Sequence, residues 1–261
     1  MKLIWGSDIH LNFLDEDARY GFYASVERLE GDHVLITGDI AESHNIVPLL
    51  EEMERAVGKP VHFVLGNHDF YGSSVADVKQ SVSHLNWLPR NYGTPLSDTT
   101  MLLGVDGWGD CRNGDYENSH LTMSDWIHIR DLRKGYGQGM APLKKQLQKL
   151  ADADAQKLKR RVLKAIKEGV RKIIIATHVP PFEDVCLYAG KKSTPSGLPF
   201  FSSKILGTTI LPIAEKYSWV DFIWLSGHTH SRAVYSPCQN LICKVAHADY
   251  FKPQIEGVLN V

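Results

Sequence analysis

The chain has 261 residues, 43% hydrophobic and 23% charged, a composition that fits a folded soluble protein and excludes disorder on any scale. Its 29 basic and 30 acidic side chains leave a net charge of -1, so there is no global positive field for gripping a nucleic-acid backbone.

In chain order, an apolar run at residues 2 to 5 predicts a first strand and ends in GSDIH. A helical pattern at about 15 to 29 leads to a strand at 33 to 37 that ends in GDI. A helix at 46 to 57 precedes a strand at 61 to 65 ending in GNHD, and a helix at 73 to 84 precedes a strand at 100 to 105. Residues 106 to 141, rich in Gly, Asp and Trp, match no regular pattern and predict a long loop or small cap. Leu143, Leu147, Leu150, Leu158, Val162, Ala165 and Ile166 then recur at helical spacing over 142 to 168, with Pro142 suited to the first turn. The other face of that helix is basic, from Lys144 to Lys167, and is expected to be solvated rather than to meet a substrate.

A strand at 172 to 176 ends just before His178, and a second irregular stretch covers 183 to 202. A helix at 203 to 217, a strand at 221 to 225 ending in GHTH, and strands at 241 to 246 and 256 to 260 complete the series. Strands and helices largely alternate, which implies an α/β layering, with antiparallel pieces near the C-terminus. Cys111, Cys186, Cys238 and Cys243 form no C-x-x-C pair, so free thiols are expected. Asp8 and His10 interrupt the opening apolar run, and no run reaches membrane-spanning length; the expectation is a cytoplasmic, soluble protein with no membrane association.

Five strand runs end in polar residues of metal-ligand type. If these strands are parallel neighbours, their carboxyl ends share one edge, where α/β sheets place their ligands. Carboxylate, imidazole and amide oxygen without thiolate suit manganese, iron or zinc. Gly38, Gly66 and Gly227 each precede a candidate ligand, as expected where the backbone bends sharply.

The ordered series D-x-H, G-D, G-N-H-D, H and G-H-T-H, complete from Asp8 to His230, resembles the calcineurin-like metallophosphoesterase family. The resemblance implies two packed mixed β-sheets flanked by helices, an αββα sandwich spanning 1–261 as one domain, with cap or loop insertions at about 106–141 and 183–202. It implies one divalent metal on Asp8, His10, Asp39 and His230, and a second on Asp39, Asn67, His178 and His228, with Asp39 bridging. A metal-activated hydroxide would attack a phosphate ester, and His68 would protonate the leaving oxygen. Glu42, three residues after Asp39, falls where relatives often carry an acid that orients this histidine. GDIAESH lacks the Arg of the protein serine/threonine phosphatase pattern, so a small phosphodiester or phosphomonoester is the expected substrate. A nuclease on the same scaffold and a non-catalytic binding module are the competing readings.

No motif claims His33, His44, His62, His84, His120, His128 or His247, and packing or surface placement suffices for them. Arg112, Arg130 and Arg133 could clamp a phosphate, although surface arginines are commoner. Trp5 is expected to pack, Trp108 fits packing and a substrate wall equally, and Trp126 in the cap could stack on a base or other ring.

Overall fold

A computed structural model describes residues 1–261. In chain order the strands are β1 (Lys2–Gly6), β2 (His33–Thr37), β3 (Val61–Val64), β4 (Thr94–Pro95), β5 (Thr100–Gly104), β6 (Lys172–Ala176), β7 (Leu187–Tyr188), β8 (Lys191–Lys192), β9 (Asp221–Ser226), β10 (Ala233–Cys238), β11 (Leu241–Val245) and β12 (Ile255–Asn260). The helices are α1 (Glu16–Glu27), α2 (Ile46–Val57), α3 (Val75–Ser81), α4 (Asp125–His128), α5 (Arg130–Tyr136), α6 (Met140–Lys167), α7 (Leu198–Phe201) and α8 (Lys204–Lys216).

Two mixed sheets pack face to face. One has the order β12-β1-β2-β3, the other β10-β11-β9-β6-β5-β4. Strand alternation sends side chains to opposite faces, so Leu3, Trp5, Leu35 and Val64 of the first sheet meet Leu102, Ile174, Ala176 and Leu225 of the second in an inter-sheet core. The neighbouring residues Ile4, Val34, Ile36 and Phe63 point outward beneath α1 and α2, and Ile173, Ile175, Phe222 and Trp224 point toward α6 and α8. Burial on both faces is why these strands read as continuous apolar runs.

Local chemistry sets the helix limits. The Asp15 side chain accepts from the Ala18 amide at the start of α1, the Ser74 hydroxyl accepts from the Asp77 amide at the start of α3, and Gly58 ends α2 with φ 65°. No helix is long and apolar enough to cross a membrane.

The irregular stretch 106–141 is a packed cap rather than a free loop. It contains α4 and α5, and Tyr116, Trp126, Ile129 and Leu132 join Leu143 and Leu147 in the larger core. The stretch 183–202 holds the β7–β8 hairpin and α7. The basic side of α6 is largely solvent-exposed, as at Lys145, Lys149, Lys159, Arg160 and Lys167, while Lys144 pairs with Glu117, Lys164 with Glu168, and Arg161 donates to the carbonyls of Leu88, Pro89 and Gly104. β10 escapes the apolar-run criterion because it is an edge strand, with Val234 exposed, Pro237 inside it and a register shift between Tyr235 and Cys238.

Candidate metal centre

The loops after β1, β2, β3, β6 and β9 lie together at the carboxyl ends of their strands, and the backbone stitches them. Asp8 N donates to Gly38 O and His10 N to Asp39 O, both at 3.0 Å, while Gly227 N donates to His178 O at 2.9 Å. Buried Asp69, the last residue of GNHD, accepts from the amides of Ile40 (2.8 Å), Ala41 (2.9 Å) and Gly66 (2.7 Å), tying the loop after β2 to the loop after β3. Asp106 does similar work behind them, accepting from Leu65 N and Trp87 Nε1 and pairing with Lys79, while its carbonyl accepts from His178 N.

Asp8, His10, Asp39, His228 and His230 all hold the left-handed conformation, with φ between 39° and 70°. Non-glycine residues rarely adopt it, and such strain collects where a side chain must be aimed at a site. Of Gly38, Gly66 and Gly227, only Gly38 has the positive φ of a sharp bend. At Gly66 a Cβ would overlap Asp39, and at Gly227 it would overlap Ser7 and Asp8, so these two permit close approach rather than a bend.

Asp8, His10, Asp39 and His230 each bring one ligand atom within 4.8 Å of the others. His230 Nε2 lies 3.3 Å from Asp8 Oδ1, and His10 Nε2 lies 3.9 Å from Asp39 Oδ2. On the other side of Asp39, its Oδ1 is 3.4 Å from His178 Nε2. Asn67 Oδ1 approaches the same nitrogen at 3.0 Å and His228 Nδ1 at 3.1 Å. His178 Nδ1 donates to the Thr37 carbonyl at 2.9 Å, which aims Nε2 at the centre. The Asn67 amide is fixed in turn by Asp125, to which its nitrogen donates at 2.9 Å; the Tyr71 hydroxyl donates to the same oxygen at 2.7 Å.

The electrostatics match a cation site. Asp8 and Asp39 are buried, and the only basic side chains within ion-pair distance of them are imidazoles. Burial would raise Asp8, but the hydrogen bond from His230 and the His178 charge outweigh it and hold the carboxyl at about 2. Burial would lower His178, but Asp39 and Asp8 raise it to about 10. Burial leaves His10 at about 4, and both its ring nitrogens are buried without a hydrogen-bond partner. Buried carboxylates beside orphaned imidazole nitrogens are the donor set of a divalent transition metal, so the residues present fit a bound cation.

His68 sits beside this centre with its ring stacked on Tyr71 at 4.4 Å and its Nε2 4.0 Å from Asp39 Oδ2. Its backbone amide donates to Asp39 Oδ1 at 2.9 Å. Glu42 makes no hydrogen bond to His68, whose Nδ1 is buried without a partner. The Glu42 amide donates to Asn45 Oδ1, turning the residue into the start of α2, and its carboxylate faces His44 at 3.8 Å.

Trp108 is buried against Phe70, and Trp5 donates to the Thr37 hydroxyl; Trp126 packs edge-on to Phe200. Arg112 pairs with Asp110 and Asp152, and Arg130 with Asp77. Tyr250, which no motif marks, forms a wall with ring centroids 4.8 Å from His10 and 4.9 Å from His230.

The fold is similar to that of a dimetal phosphatase from Danio rerio, at 15% identity and a TM-score of 0.59 over 95% of this chain and 87% of that one. It is also similar to a phosphopantetheinyl hydrolase from Mycobacterium tuberculosis, at 12% identity and a TM-score of 0.64 over 97% and 95%. A protein from Thermus thermophilus aligns at 10% identity and a TM-score of 0.51 over 96% and 90%. Among curated proteins none matches by sequence. The two-sheet architecture is common to these structures, and the profile of the calcineurin-like phosphoesterases matches residues 1–232, so the chain belongs to that family.

Proposed function

We propose that the chain hydrolyses a small phosphodiester or phosphomonoester with two divalent cations drawn from manganese, iron and zinc. The observation that carries this reading is the position of Asp39, whose Oδ2 faces the His10 side of the centre and whose Oδ1 faces His178. Asp8, His10, Asp39 and His230 would hold one ion, and Asp39, Asn67, His178 and His228 the other. Cations bound there supply Lewis acidity, which stabilises charge on phosphoryl oxygens and acidifies water.

The chain's own groups do the rest. Thr37 and Asp125 fix the directions of His178 and Asn67, so the ligand set is preorganised. His68, partly open to the cleft and steadied by Tyr71, would pass a proton from Nε2 to a departing alkoxide.

The test is an assay of stripped protein reloaded with manganese, iron or zinc against an aryl diester, an aryl monoester and single-stranded DNA. Metal-dependent turnover of either aryl ester supports the reading. Metal-loaded protein with no turnover would point to a binding module, and preference for DNA to a nuclease.

A further inference from the structure

The space above the metal centre opens sideways. A cavity of about 240 Å³ lies over Asp39, Asn67, His68, His228 and His230. A larger one of about 650 Å³ lies between residues 121–123 of the cap and the β7–β8 hairpin. Met123 and Phe201 line both, so the two adjoin across these side chains. Phe201 also stands against the metal centre, its ring 5.4 Å from that of His228.

The walls of the larger cavity are apolar and partly open to solvent. Leu121 is 39% exposed and Tyr188 73% exposed, and they line it together with Met123 and Phe201. Exposed apolar side chains gathered around one cleft mark a binding surface. Ser193 Oγ accepts from the Cys186 thiol and Thr194 Oγ1 from the Gly197 amide, while the exposed Tyr188 carries the remaining lining hydroxyl. No carboxylate lines the cavity, and its charged lining groups are Lys191 and Lys192. The accessible lining is mostly apolar side chain, and it presents nothing that repels an anionic ester.

We propose that this cavity takes an extended apolar chain carried by the phosphate ester. The phosphate would sit at the metal centre, and its substituent would run past Met123 and Phe201 to lie between Leu121 and Tyr188. The flexible methionine suits such a chain, because its thioether adapts to different apolar shapes. The inference rests on the phosphoesterase reading and narrows its substrate class to amphiphilic phosphate esters.

Calorimetry on the metal-loaded protein with methylphosphonate, octylphosphonate and a nucleoside phosphonate tests it, beside turnover of an aryl ester. Each methylene buried is worth about fourfold in affinity, so octylphosphonate should bind at least about a hundredfold tighter than methylphosphonate. In a Leu121→Ser, Tyr188→Ser double variant that ratio should fall about tenfold, through lost apolar burial. Equal affinities, a preference for the nucleoside, or an octyl advantage that the double variant leaves undiminished would overturn the inference while aryl-ester turnover keeps the phosphoesterase reading. Metal-loaded protein that neither binds a phosphonate nor turns over the ester would overturn both.

Discussion

Asp125 holds Asn67 by its amide nitrogen at 2.9 Å, so a residue of the cap decides where a candidate metal ligand points. Without that carboxylate, the amide could rotate and present its nitrogen to the cation. Asp125→Ala is expected to weaken binding of the second metal equivalent by about 10- to 100-fold, the usual effect of removing an outer-shell partner. Equilibrium dialysis against manganese or zinc measures it. Unaltered binding of both equivalents would show that the cap does not organise the site.

His68→Ala should lower turnover of an alkyl diester more than that of an aryl ester. An alkoxide is the poorer leaving group and needs the proton more, and a general acid contributes about 10²- to 10⁴-fold. Steady-state kinetics on the two esters give the comparison, and equal losses would refute the role of Nε2.

Gly227→Ala places a methyl group where Ser7 and Asp8 already stand. The expected cost is about 1 to 3 kcal/mol of stability, accompanied by loss of metal because Asp8 must move. Thermal melts with and without metal check both parts. A variant that melts and loads like the parent would show that the loops after β1 and β9 do not need this close approach.

His62 gives a pH prediction away from the metal centre. Its Nε2 lies 2.9 Å from His33 Nδ1, and burial, helped by the His33 charge, lowers it from 6.5 to about 4. The unfolded chain therefore binds the proton more readily. The neutral ring's contribution is present above about pH 6.5 and is lost as the pH falls toward 4, an effect of about 2 to 3 kcal/mol. Urea unfolding of the parent and of His62→Gln across that range should show a steeper loss in the parent; parallel curves would contradict it.

How much of this was legible in the sequence follows from where each residue lies. The runs through Ile4, Ile36, Phe63, Ile174 and Trp224 were visible because burial on both faces leaves little room for polar residues. The seven candidate ligands were visible because they follow those strands directly. Asp125 was not, since it is 58 residues from Asn67 in a cap without periodicity, and only the fold brings them together. The direction of the Glu42 side chain is not legible, because proximity to Asp39 in sequence says nothing about which way the turn into α2 aims it. The precise use of Gly66 and Gly227 was hidden as well, because a pattern marks a glycine without telling torsion from crowding.

β12 lies beyond residues 1–232 yet pairs with every residue of β1, from Lys2↔Asn260 to Gly6↔Ile255. The strand that delivers Asp8 and His10 is thus shielded by residues 255–260. Trimming the final dozen residues would bare the amide edge of β1, inviting intermolecular strand addition and insolubility. Expression studies that shorten this protein to its family-matched portion should therefore yield aggregates rather than a smaller enzyme.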